Sequence, residues 1–95
     1  MDQRLIVRAD KVYHGRTKDI SEGGLGATIA GELPSDGPFE LEFYLPGKLS
    51  PIHVIAEVRH HQGFYYGFRF ADVTEQQREE IRSSLLTLGV SLGTA

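Results

Sequence analysis

The chain contains no cysteine, which excludes disulfide scaffolds, thiolate metal sites and thiol nucleophiles and leaves stability to burial alone. Such a composition suits the cytoplasm, the expected location. Long apolar runs are missing too. The N-terminal MDQRLIVRAD holds three consecutive apolar residues, too few for a signal-peptide core, and no later stretch reaches membrane-spanning length. Nor is there an excess of positive charge. With a formal net charge of −3 and a pI near 5.7, the chain has no electrostatic footprint for DNA, RNA or an anionic membrane. Repeats and low-complexity segments are absent.

What remains is an ordinary globular composition. The 95 residues, 40% hydrophobic and 24% charged, are read as a single domain over residues 1–95, large enough for a core and too small for two. In Phe39, Leu41, Phe43 and Leu45 the apolar residues alternate with Glu40, Glu42 and Tyr44, the period of a strand with one buried and one wet face. Val54, Ala56 and Val58 repeat that pattern, as do Phe64, Tyr66, Phe68 and Phe70. His61-Gln62-Gly63 between these two segments is read as the turn of an antiparallel hairpin. Residues 32–38 and 45–51, interrupted by Pro and Gly, are loops.

Upstream, Leu5 to Arg8 and Val12 to Ile20 are read as strands, with His14-Gly15 a turn or bulge. The alternation is poorer there. Ile20 belongs inside, yet Arg16 and Lys18 share its parity. After Thr74 the period changes to a helical one: Thr74 and Gln77 have capping-box spacing. Ile81, Leu85 and Leu88 form the apolar stripe and Gly89 the stop. Six strands and one helix point to a mainly β fold, a six-stranded antiparallel β-barrel whose C-terminal α-helix covers an open end.

Catalytic chemistry finds little support. His60 and His61 are adjacent and so face opposite sides of a strand, and His53 has the parity opposite to His60, which gives no metal-ligand spacing. Glu40 and Glu42 look like the solvated face of a strand rather than an acid–base pair. Ser21 lacks a nucleophile elbow. No enzyme, metal or cofactor is expected.

Asp19-Ile20-Ser21-Glu22-Gly23-Gly24 differs in kind. In an extended chain Asp19 and Ser21 share one side while Ile20 anchors the other. A carboxylate acceptor beside a hydroxyl suits the N1–H and N2–H2 edge of guanine. Gly23 and Gly24 allow close approach or positive φ. The same residues also make an ordinary turn, with Asp and Ser bonding locally and the glycines forming a bulge. Both readings stand at the level of the residues alone.

At Asp19, Ser21 and Gly24 the segment DISEGGLGA resembles the D/N-x-S-x-x-G motif of the PilZ domain family. The resemblance extends in order through PFELEFYLP, IAEVRHH, FYYGFRFADV and the helix opening at Thr74, over roughly residues 12 to 88. It implies a six-stranded barrel that binds the bacterial second messenger cyclic di-GMP, with Asp19, Ser21, Gly23 and Gly24 at a guanine, and that passes the signal to a protein effector. The family's arginine motif, R-x-x-x-R, is matched by letters in Arg4-Leu5-Ile6-Val7-Arg8. Only ten residues separate Arg8 from Asp19, too few for the whole first hairpin, so Arg4 and Arg8 are placed on the first strand itself, with Leu5 and Val7 inward. The arginine motif proper is then missing or upstream; Arg4 and Arg8 are retained as candidate clamps on the ligand, and Arg16 is a partial substitute. Each lost charged hydrogen bond weakens binding by about 1.5 to 3 kcal/mol, so the alternative is a PilZ-like protein-interaction adaptor that binds no nucleotide. The domain is expected as a monomer or weak homodimer.

Overall fold

The structure, a computed structural model, describes residues 3–87. Six strands, β1 (Gln3–Arg8), β2 (Val12–Ile20), β3 (Gly24–Ile29), β4 (Phe39–Phe43), β5 (Ile52–Gln62) and β6 (Tyr65–Asp72), precede one helix, α1 (Glu75–Thr87). The strands close into an antiparallel barrel in the order β1-β2-β3-β6-β5-β4, with β4 returning to β1. Closure leaves none of the six as a free edge.

Two-residue alternation decides which side chains fill the barrel. Leu5 and Val7 of β1, Leu25, Ala27 and Ile29 of β3, Phe39, Leu41 and Phe43 of β4, and Tyr66, Phe68 and Phe70 of β6 are all buried. Fully burying an aliphatic or aromatic side chain stabilises by about 1.5 to 3 kcal/mol. Phe43 and Phe70 stack at 5.9 Å near one barrel end. Toward the other end, the Tyr66 ring lies 4.0 Å from that of His61, and its hydroxyl accepts a hydrogen bond from the Leu33 amide at 3.1 Å.

The parity conflict in the second strand is resolved by a bulge. Thr17 pairs with Ala27 and Asp19 with Gly26, so Lys18 is an extra residue. Beyond it the facing inverts: Thr17 is buried inside, while Ile20 also reaches the core from the opposite parity. The expected irregularity at His14-Gly15 is corrected, because both residues lie within β2 and pair regularly with Ile6 and Leu5. A second bulge interrupts β5. Val58 pairs with Phe68 and His60 with Gly67, leaving Arg59 as the extra residue. Bulges of this kind re-aim side chains that strict alternation would place elsewhere.

The β5–β6 hairpin turns one residue later than expected. β5 runs through Gln62, and Gly63 and Phe64 make the turn, with Gly63 at a φ of 61°. Positive φ at the first turn position fits the twist of a tight hairpin. Phe64 is therefore not a core residue but 71% exposed at the tip.

Helix α1 is capped as its spacing predicts: the Thr74 amide donates to Gln77 Oε1 and the Gln77 amide to Thr74 Oγ1, both at 3.1 Å. Ile81 and Leu85 are buried in the barrel core cluster. The Gln77 side chain also donates to the His53 carbonyl at 2.7 Å, fixing the helix against the start of β5. Leu88 and Gly89 lie outside the described residues. No helix among the described residues is long and apolar enough to cross a membrane.

Candidate functional site

The turn between β2 and β3 is closed by the residues of the D-x-S-x-x-G segment. The Ser21 amide donates to the Gly24 carbonyl at 2.8 Å and its hydroxyl donates to the same oxygen at 3.3 Å. The Phe70 amide donates to the Gly23 carbonyl at 2.8 Å, so the turn is also tied to β6. Neither Gly23 nor Gly24 adopts positive φ. A Cβ on Gly24 would instead press against the Phe68 carbonyl of the neighbouring strand, and Gly23 has open space around it. The glycine requirement at position 24 is thus a close approach of β3 to β6.

Asp19 belongs to a row that crosses four strands. It is opposite Gly26, which is opposite Gly67, which is opposite His60. Two glycines face each other in the middle of that row, and the Tyr65 side chain reaches over Gly26 from beside it. A Cβ on Gly26 would lie 2.9 Å from both Asp19 Oδ1 and Tyr65 Cζ, so the carboxylate and the tyrosine close in over the same point. Asp19, Ser21, Gly23 and Gly24 line one depression of about 300 Å³, together with Arg59 and Tyr65. Sequence reasoning missed Gly26, Gly67, Tyr65 and Arg59. A glycine inside a strand pattern was the available signal for the first two.

Beside this depression lies a wider groove of about 970 Å³, lined by Arg4, Arg16, His14, Thr28 and Phe64 among others. Thr28 pairs with Tyr65, so one cross-strand pair separates the two hollows. Arg4 is directly opposite Arg16 in the β1–β2 register, both are exposed, and neither has an ion-pair partner among the described residues. Like charges directly opposite one another are unfavourable unless something neutralises them. An anionic group seated between the two would do so.

Arg8 has a different setting. Its guanidinium donates to Glu42 Oε1 of β4 at 2.8 Å, and His53 Nε2 stands 3.2 Å from the same oxygen. The hydrogen bond from Arg8 holds the Glu42 carboxyl below the usual carboxylate range, with His53 adding to the effect, and Glu42 in turn raises the Arg8 pKa. The structure does not bring Arg8 to the depression or to the Arg4–Arg16 groove. His53 is part of this ion cluster rather than a metal set, and among the described residues no three His, Asp or Glu side chains converge to hold a metal ion.

Glu22, the variable residue between Ser21 and Gly23, faces the helix. Arg82 of α1 donates to its two carboxylate oxygens at 3.0 and 2.9 Å and to Glu79 at 2.8 Å. The planar fork of arginine matches a carboxylate in this two-point geometry, and its hydrogen bonds pull the Glu22 carboxyl below its usual range. The segment that carries Asp19 and Ser21 is therefore anchored on one side by β6 and on the other by α1.

Comparison with known proteins agrees with this architecture. The family model described as PilZ domain matches residues 5–87. Among solved structures the chain is similar to the crystal structure of the PilZ domain of CeSA from a cellulose-synthesizing bacterium, with a TM-score of 0.68, 19% sequence identity and coverage of 94% of each chain. No curated protein matches it. With the barrel, the capped helix and the family match in place over most of its length, the chain belongs to the PilZ domain family.

Proposed function

We propose that this domain is a cytoplasmic, non-enzymatic receptor for cyclic di-GMP that passes the signal to a protein effector. PilZ domains are binding and adaptor modules of cyclic di-GMP signalling, and the finer assignment rests on the residues of this chain. One observation carries it: Asp19 and Ser21 open onto a depression lined by Gly23, Gly24, Gly26 and Tyr65 that adjoins two mutually opposed arginines without an ion-pair partner among the described residues. The Asp19 carboxylate accepts from the N1–H and N2–H2 edge of a guanine. Arg4 and Arg16, across the Thr28–Tyr65 pair, take the phosphodiester oxygens, for which a guanidinium fork is suited. Two arginines on adjacent strands thus do what two arginines on one segment are expected to do.

Isothermal titration of the chain with cyclic di-GMP tests the reading. Saturable 1:1 or 2:1 binding, abolished or strongly weakened in Asp19→Ala, is the expected result. An absence of heat at ligand concentrations far above micromolar refutes it, and leaves the interaction adaptor as the function.

A further inference from the structure

We infer that Arg59 is a guanine-reading residue of this site, supplied by β5 rather than by an arginine motif before the barrel. The inference rests on the guanine-nucleotide reading above. Arg59 is the extra residue of the β5 bulge, inserted between the pairs Val58–Phe68 and His60–Gly67. Without the bulge, strict alternation from the inward-facing Val58 would put Arg59 on the outer face and His60 inside. With it, both are exposed, and Arg59 lines the same depression as Asp19 and Ser21.

The bulges in β2 and β5 therefore stand at the two ends of one row. Asp19 closes it on β2, His60 and its bulge neighbour Arg59 on β5, and Gly26 and Gly67 lie between. Three inter-strand steps amount to about 14 Å. The Tyr65 hydroxyl overlies Gly26, so a purine in that span packs against the tyrosine ring between the Asp19 and Arg59 side chains. Guanine is the base whose edges fit both ends. Its N1–H and N2–H2 donors meet the Asp19 carboxylate, and its O6 and N7 acceptors meet the two-point fork of an arginine. Adenine offers an amino donor beside N7, which the fork repels, and lacks the N1–H that Asp19 accepts.

Charge economy singles out the same residue. Arg69, the other arginine at the depression, is held by Glu57 at 3.0 Å, and Arg8 is held by Glu42. Arg59 has no hydrogen-bond or ion-pair partner among the described residues. Its guanidinium is available without breaking a contact.

The test is titration calorimetry of the full chain with cyclic di-GMP and, separately, cyclic di-AMP, for the wild type, Arg59→Met and Arg59→Lys. Thermal melts accompany each variant to show that the exposed substitution leaves folding intact. Arg59→Met is expected to weaken cyclic di-GMP binding by roughly 10- to 100-fold, as for loss of one bidentate base contact. Weak cyclic di-AMP binding should change far less, so the preference between the two ligands shrinks. Arg59→Lys keeps the charge but not the fork and should lose most of that preference while retaining part of the affinity. A wild-type chain that binds cyclic di-GMP alongside an Arg59→Met variant of equal affinity overturns this inference and leaves the receptor function standing. Equal losses for both ligands overturn it as base readout. A wild-type chain that binds neither ligand overturns the receptor function and this inference together.

Discussion

Strand β1 carries two arginines on one solvent face, four positions apart, and their surroundings are opposite. Arg8 meets a carboxylate from β4 at 2.8 Å, whereas Arg4 meets another arginine from β2. The Arg8 side of the barrel, built from β1, β4 and β5, has satisfied its own charges with Glu42 and His53. The other side, built from the start of β1 with β2, β3 and β6, has glycines in the middle and leaves Arg4 and Arg16 without an ion-pair partner among the described residues. The first arrangement is complete as it stands; the second is complete only with an anion. Charge pattern along a strand therefore says little about binding until the strand opposite is known.

Four experiments bear on that contrast. The largest effect is expected from Arg16→Glu, which gives Arg4 the cross-strand carboxylate that Arg8 already has and faces a phosphate with negative charge. Cyclic di-GMP affinity should fall by more than roughly 100-fold, since two favourable contacts become one internal pair and one repulsion, and calorimetry reads the loss. Next comes Gly26→Val. Its side chain would collide with Asp19 and Tyr65, so binding should drop below detection while overpacking lowers stability by about 1 to 3 kcal/mol in urea unfolding.

A smaller and more pointed comparison is Arg4→Met against Arg8→Met. The first should weaken the nucleotide by about 10-fold, consistent with one charged hydrogen bond, and leave the melting temperature unchanged. The second should leave affinity unchanged and lower the melting temperature slightly, because a partly exposed ion pair contributes little. Equal effects of the two on affinity would erase the distinction between the faces.

The smallest effect is a pH dependence. The Glu42 carboxyl is held below its ordinary range, chiefly by the Arg8 hydrogen bond, so in the folded state it binds a proton less readily than in the unfolded chain. Its contribution is present above the unfolded pKa and is lost as pH falls through the lowered folded value. Melting temperatures taken from pH 7 down to pH 3 should show a decline below about pH 5 that is shallower in Glu42→Gln. The Glu22–Arg82 pair has the same sign and supplies part of the slope that remains.

Much of the barrel was legible because its signals are local. Phe39, Leu41 and Phe43 alternate with glutamates and needed only the rule that one strand face is buried. Thr74 and Gln77 announce the helix within a single turn. Asp19 and Ser21 were legible by motif, and the structure sets both at one depression. Other features depend on register between distant segments, which no local pattern carries. The bulge at Lys18 showed up in the sequence only as a parity that failed, and was placed too early, at His14-Gly15. Phe64 fits the alternation of β6 by letters, but the turn claimed it. Arg59 turns outward by plain alternation from Val58, but its place beside Asp19 depends on how β5 registers on β6 and β6 on β3. The partner of Arg8 lies 34 residues away on another strand.

Every strand of the barrel is paired on both sides, and this limits how another protein can engage it. Strand addition, in which a peptide borrows the free backbone donors and acceptors of a sheet border, has no border to use here. Recognition must then run through side chains, on the outer faces of the strands or on α1. Such contacts reshape with a single substitution, whereas backbone ladders do not, so the closed sheet can stay constant while the surface it presents is adapted to different partners.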